Sequence, residues 1–234
     1  MRKNAVLTFG GIDISDYNCW FSGAKSFYTP QKMASLMSVP GRNGDLYIED
    51  NRFSNIDISF DCYVQRGFIQ KYNALINALH SVDGYGRLET TEEPDVYREA
   101  VFMDEVQPNT TQGNEGGTFT LTFNCKPQKW LKSGEKGIAV TDSANINNPT
   151  RWGAKPLIAV TGTGSIAIND SVLTLASNTS VTYIDCDIQD AYEGTVNRNG
   201  DLTVVNGFPV LSYGSNEIAV DGCTIVLYPR WWKL

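Results

Sequence analysis

From residue 156 onward the chain never keeps a helical beat. Apolar runs LIAV, SIAI, VLTL, VTYIDC, DLTVV, NEIAV and TIVLY follow one another at intervals of roughly ten residues, separated by TGTG, NDS, SNTS, NRNG and DG. Many short strands with turn signals between them, and no apolar stripe of period 3.6, predict a β-sandwich. Asn199-Gly200 and Asp221-Gly222 read as hairpin turns, because Asn, Asp and Gly accept positive φ at low cost. GTGS at 162–165 superficially matches a phosphate loop, but no Walker lysine follows and no helix begins there, so it too reads as a hairpin turn.

The first half has a different pattern. Residues 55–64, NIDISFDCYV, alternate with Ile56, Ile58, Phe60, Cys62 and Val64 on one face, which predicts a half-buried strand. In RGFIQKYNALINALHS, directly after it, Phe68, Ile69, Tyr72, Leu75, Ile76 and Leu79 fall at spacings of three and four. That stripe predicts a helix of about four turns ending near His80, where DGYG stops it. Strands are expected at 87–90 and 97–106, and the glycine-rich TQGNEGG at 111–117 feeds another, TFTLTFNC. KPQKWLKSGEKG then carries Pro, Gly and charge without a period, which places a boundary near residue 135 and divides the chain into 1–135 and 136–234. Trp130 and Trp152 flank that boundary and are expected to fix how the two domains sit together.

Little in the sequence points to catalysis. His80 is the one histidine and has no Ser and Asp frame around it, and G-x-S-x-G is missing. Carboxylate pairs occur at Glu92/Glu93 and Asp185/Asp187, but an acidic chain supplies these by chance, and the second pair reads as the solvent face of a strand. Five widely spaced cysteines without C-x-x-C predict buried free thiols, as in a protein folded in a reducing cytosol, and neither a zinc site nor any cofactor is expected. A net charge of −7 argues against a dedicated nucleic-acid binder, because phosphate binding rests on clustered Lys and Arg. No signal-peptide core or 18-residue apolar run occurs, so a soluble, cytoplasmically made protein without stable membrane association is expected.

Two short stretches remain as candidate sites. SVPGRNGD at 38–45 brackets Arg42 and Asn43 between Gly41 and Gly44, with Pro40 before and Asp45 after. A phosphate cradle, a plain turn and a loop that contacts a neighbour are its three readings. PRWW near the C-terminus could offer Tyr228, Trp231 and Trp232 as a sugar-stacking platform, or could tuck its aromatics into the core.

Taken together, SVPGRNGDL, the single helix after an alternating strand, GTFTLTFNCKPQKWL, PLIAVTGTGSIAIND, IDCDIQDAY, FPVLSYGSNEI and the terminal YPRWWKL resemble the distal tail proteins of siphophages, in an order that spans nearly the whole chain. The resemblance implies a mainly β protein: a β-sandwich-like ring domain with one α-helix and a β-hairpin, then a galectin-like β-sandwich. It implies a structural virion protein rather than an enzyme, made in the host bacterial cytoplasm and placed at the distal end of the tail. Its expected partners are itself, as a homo-hexamer, the major tail tube protein, the tail-tip or tail-associated protein and receptor-binding proteins of the baseplate. DNA would pass the ring without specific binding, helped by an acidic wall that repels phosphates. Within such a ring residues 40–45 become candidates for the subunit contact, with Arg42 as a forked donor to a neighbour's carboxylate and Asp45 as a local cap. The alternative is a carbohydrate-binding protein that recognises host cell-wall glycans through Tyr228, Trp231 and Trp232.

Overall fold

The computed structural model describes residues 5–22, 29–110 and 114–234. The chain is mainly β and divides into two compact units, Met1–Lys129 with Leu234, and Trp130–Lys233.

In the first unit the strands are β1 (Leu7–Phe9), β2 (Ile12–Asp13), β3 (Cys19–Phe21), β4 (Lys32–Met37), β5 (Leu46–Phe53), β6 (Ile56–Gln65), β7 (Gly86–Thr90), β8 (Val96–Val101), β9 (Asn109–Thr110) and β10 (Gly116–Cys125), with helix α1 (Phe68–His80) between β6 and β7. One sheet runs β2-β1-β7-β8-β10-β6-β3, while β4 and β5 pair only with each other. Strand β6 forms where its alternation predicts and lies along the whole of β10, from Ile56 opposite Cys125 to Gln65 opposite Gly116. The inward residues of both strands meet α1 in one core, in which Phe68, Leu75 and Leu79 of the helix are buried with Phe9, Phe119 and Phe123. Ile69, expected in the helix's apolar stripe, is 49% exposed instead. The strand expected over 97–106 is shorter, because β8 stops at Val101; beyond it Phe102 turns into the core and Val106 packs against it partly buried. The start of the 111–117 loop, residues 111–113, lies outside the described residues.

Helix α1 begins at Gly67, which has no side chain to cap it. Asn114, just before β10, does the capping: its Oδ1 accepts the Ile69 N–H at 2.8 Å and its Nδ2 donates to Gln70 Oε1 at 2.9 Å. Asn114→Ala is expected to cost about 1 kcal/mol, the usual worth of an N-cap. Urea unfolding followed by circular dichroism measures it, and an unchanged midpoint would show that the cap carries no stability.

In the second unit β11 (Lys129–Leu131) leads to β12 (Ile138–Val140), β13 (Ser143–Asn148), β14 (Leu157–Ile168), β15 (Ser171–Leu175), β16 (Val181–Asp185), β17 (Asp190–Glu193), β18 (Val196–Asn197), β19 (Leu202–Val205), β20 (Gly214–Tyr228) and β21 (Trp232–Lys233). LIAV and SIAI, expected as two strands, form the single strand β14, and NEIAV and TIVLY form β20. The two long strands pair along almost their full length, with the register slipping between Gly162 and Ser165. GTGS and Asp221-Gly222 are therefore not hairpin turns: they face each other as a bulge in mid-strand. Before the bulge β14 also pairs with β16, and after it with β15, so the sheet changes partners there. Asn178 fills the gap by donating to the carbonyls of Val160 and Gly162 at 3.0 and 3.1 Å. The bend lets both halves of the curled sheet feed one core, with Ile158 and Val160 from one side and Ile166, Ile168 and Leu173 from the other. The NDS turn between β14 and β15 is a hairpin, with Asn169 at φ 51. Asn199-Gly200 instead starts a turn of 3-10 helix over Asn199–Asp201.

Candidate interaction surface

Among the described residues, strands β4 and β5 form a ribbon that no other strand joins. Side chains alternate across it, and the register puts Met37 opposite Leu46 and Ser35 opposite Ile48 on one face. Leu36 opposite Tyr47 and Ala34 opposite Glu49 occupy the other. Both faces are therefore apolar near the tip, and both are open: Leu36 is 69% exposed, Met37 54%, Tyr47 51% and Ile48 40%. Nearer the base the second face turns polar, where Lys32 pairs with Glu49 at 2.8 Å and the Tyr47 hydroxyl donates to Glu49 Oε2 at 3.3 Å. Asp50 and Asn51 sit in a bulge, with Asn51 at φ 53, where the register slips between Met33 and Ala34. An isolated two-stranded ribbon is at best marginally stable in water, and an apolar patch on both of its sides marks a surface built to be covered.

The 38–45 loop is the tip of this ribbon. Gly41 and Gly44 both take φ of 80°, a region that other residues enter only at a cost, so the two glycines are required by the turn. The Arg42 N–H donates to Val39 O at 3.2 Å and closes it. Pro40, Arg42, Asn43 and Asp45 are exposed. Neither the Arg42 guanidinium nor the Asp45 carboxylate has a partner among the described residues, so the tip presents one free cation beside one free anion.

The aromatic residues near the C-terminus do not form one open platform. Trp231 is 5% exposed, inside the second core, and its C=O accepts the Leu131 N–H. Tyr228 is half-buried against Gly137. Trp232 stacks on Trp152 with ring centroids 4.9 Å apart, and its Nε1 donates to Gly153 O at 3.0 Å, so Trp152 is engaged within the second unit. The loop that carries Trp152 is pinned from below by Asn148, fully buried, whose Nδ2 donates to the carbonyls of Trp152 and Leu211.

Asp185, expected on the solvent face of its strand, is buried, and Arg230 grips it with two hydrogen bonds of 2.8 and 2.9 Å. The Asp187 N–H donates to the same carboxylate at 2.9 Å. Burial pushes the Asp185 carboxyl up, but the Arg230 guanidinium and the backbone donors outweigh it and hold the group below the usual carboxylate range. Alternation misled here because Asp185 ends its strand, where the chain turns and Arg230 reaches it from a stretch 45 residues away.

His80 is the last residue of α1, with its ring 4.8 Å from that of Phe102. All five cysteines are buried and free. Burial pushes Cys125 and Cys186 up to about 12, and the neighbouring Cys19 thiol together with burial pushes Cys62 higher still. Among the described residues no helix is long and apolar enough to cross a membrane, and no cluster of three or more His, Cys, Asp or Glu could hold a metal ion.

Residues 12–125, which include the ribbon, α1 and β10, match the model of the phage tail protein RIFT-related domain. Residues 12–125 are thus a phage tail protein domain. The resemblance read from its segments is borne out, as is the mainly β fold. No curated protein matches this chain in sequence. Among solved structures it is similar to the Dit (gp 19.1) protein of phage SPP1, a paradigm of hub adsorption apparatus in Gram-positive infecting phages, at 14% identity and a TM-score of 0.74 over 99% of this chain and 100% of that one. It also matches a chain of the phage P2 baseplate in its activated conformation with Ca, at 11% identity and a TM-score of 0.52, covering 97% of this chain and 98% of that one. The same baseplate with Sr gives 11% and 0.52 over 96% and 98%. At such identities the likeness is one of fold.

Proposed function

We propose that this tail protein is the distal hub of a siphophage tail, a homo-hexameric ring that joins the major tail tube protein to the tail-tip protein and to receptor-binding proteins of the baseplate. In this reading residues 1–135 build the ring and residues 136–234 form a galectin-like sandwich outside it, in a virion part made in the host cytoplasm. The role is structural, and DNA passes without being bound. The observation that carries the proposal is the ribbon: a detached pair of strands, apolar on both faces, with a glycine-braced tip offering one free cation and one free anion. A closed ring gives every subunit the same neighbour, so one such arm per chain is covered six times over without leaving an end open. The full-length likeness to the SPP1 Dit fold supports the same reading.

Light scattering on the size-exclusion peak tests it, with negative-stain images of that peak. The parent is expected near six times 25.9 kDa with a central hole. Arg42→Glu turns the tip's free cation into an anion and is expected to shift the population to monomer, and Leu36→Asp to do the same by charging the ribbon's apolar face. Rings that form equally well from both variants would remove the ribbon from the contact.

Burial of Trp231 weighs against the glycan reading through Tyr228, Trp231 and Trp232, because a ring closed inside the core cannot stack on a sugar.

A further inference from the structure

Asn-Gly occurs three times in this chain, at Asn43-Gly44, Asn199-Gly200 and Asn206-Gly207. The pair is chemically special because a glycine amide, with no β-carbon beside it, can approach the preceding side-chain carbonyl. The Gly nitrogen attacks Asn Cγ, ammonia leaves, and a five-membered succinimide closes. Water then opens that ring at either carbonyl, giving aspartate or an isoaspartate whose backbone runs through the former side chain. The step needs a free Asn amide and a backbone able to swing, and the three pairs differ chiefly in the first.

Asn199 is held at both ends of its amide. Its Nδ2 donates to Asp190 Oδ1 at 2.6 Å, and its Oδ1 accepts the Ala191 N–H at 2.7 Å. Its glycine is fixed in a turn of 3-10 helix that the Asp201 N–H closes on Arg198 O at 3.0 Å. Asn206 donates from Nδ2 to Asp170 O at 2.8 Å. Asn43 has no such restraint: it is exposed, and its amide has no hydrogen-bond partner among the described residues. A β-carbon built on Gly44 would meet nothing within 4 Å, and the same holds at Gly200 and Gly207, so space is open at all three pairs and the side-chain hydrogen bonds are what separate them.

We infer that Asn43 is a deamidation site of the free subunit, selected over the two other Asn-Gly pairs by the side-chain hydrogen bonds that they make and it lacks. The product places a new carboxylate between Arg42 and Asp45 at the ribbon tip, and the isoaspartate form also lengthens the loop by one backbone atom. That this spoils assembly rests on the ring reading above; the chemistry does not.

The purified chain, kept in mildly alkaline buffer and sampled over days, is digested and its peptides weighed, with isoaspartate detected by methyl transfer from an isoaspartyl methyltransferase. Conversion at Asn43 is expected to be faster than at Asn199 or Asn206 by roughly tenfold or more, since the latter must first break one or two hydrogen bonds. Asn43→Ser removes the product from the tip peptide and leaves the other two sites as they were. Equal rates at the three pairs, or an Asn43 that survives while another converts, would overturn the assignment. The ring fraction separates the two claims. Conversion that is fast in monomer and suppressed in ring supports both, while equal conversion in ring and monomer leaves the modification site standing and sinks the tip's place in the contact.

Discussion

Replacing Gly164 by alanine is expected to cost the second unit about 3 kcal/mol, at the upper end of what overpacking does. A β-carbon at this position would stand 2.0 Å from the carbonyl oxygen of Asp221 and 2.9 Å from the carbonyl carbon of Gly222, on the paired strand. Both are backbone atoms, so no rotamer change relieves the clash. The strands must separate where their register slips and where Asn178 already spans a gap in the pairing. Four of the five tryptophans, at 130, 152, 231 and 232, lie in this unit, so denaturant unfolding followed by indole fluorescence reports on it selectively. Gly200→Ala is the control: its β-carbon would meet nothing, and a change within about 0.5 kcal/mol is expected. If both variants unfold with the parent, the two strands do not approach each other this closely.

Arg230→Met is expected to destabilise the same unit by about 2–3 kcal/mol, because it leaves Asp185 buried without its cation. Breaking one side of a buried pair costs more than removing both, so Arg230→Met combined with Asp185→Leu should recover most of the loss. The pH dependence carries the sign. In the parent the folded carboxyl titrates below its unfolded value of about 3.9, so its contribution is complete above that pH and disappears as pH falls through the lower, folded value. Without Arg230, burial is opposed only by the backbone donors, so the folded pKa rises from its parent value. The variant is then penalised against the parent at neutral pH and relieved on acidification, so the gap between parent and variant should narrow as pH falls through the two folded values. A gap that stays constant with pH would mean that the loss comes from packing of the arginine stem rather than from the stranded charge. Arg230 also holds φ at 56°, an unusual setting for a non-glycine residue, and methionine keeps its β-carbon, so the comparison leaves that backbone cost unchanged.

What could be read from the sequence was whatever repeats locally. Helix α1 and strand β6 announce themselves because each buries one face, and burial imposes a period that a short window reveals. The mid-strand bulge did not, because Gly162, Gly164 and Gly222 carry the same chemistry that ends a hairpin. Whether a positive-φ glycine turns a strand back or only bends it depends on a partner some 60 residues away. Asp185 failed for the same reason, since its cation lies at the other end of the unit. The candidate surface was half legible. PGRNGD marks a tight turn with a cation at its tip, and the structure bears that turn out at φ 80 for both glycines. Leu36, Met37, Leu46 and Ile48 look in sequence like strand residues with a core to enter, and only the pairing shows that no core is there.

The cap on α1 also sets a timetable. The Ile69 N–H donates its hydrogen bond to a residue 45 positions further along the chain. During synthesis at roughly 5–20 residues per second, the helix leaves the ribosome a few seconds before the asparagine that closes its first turn. Until then only its apolar stripe favours it, and that stripe has only part of its sheet to lie on, because β3 and β6 precede it and β10 follows the cap. The first unit is therefore built to be completed late, when the cap and β10 arrive together and close the core over a helix already made.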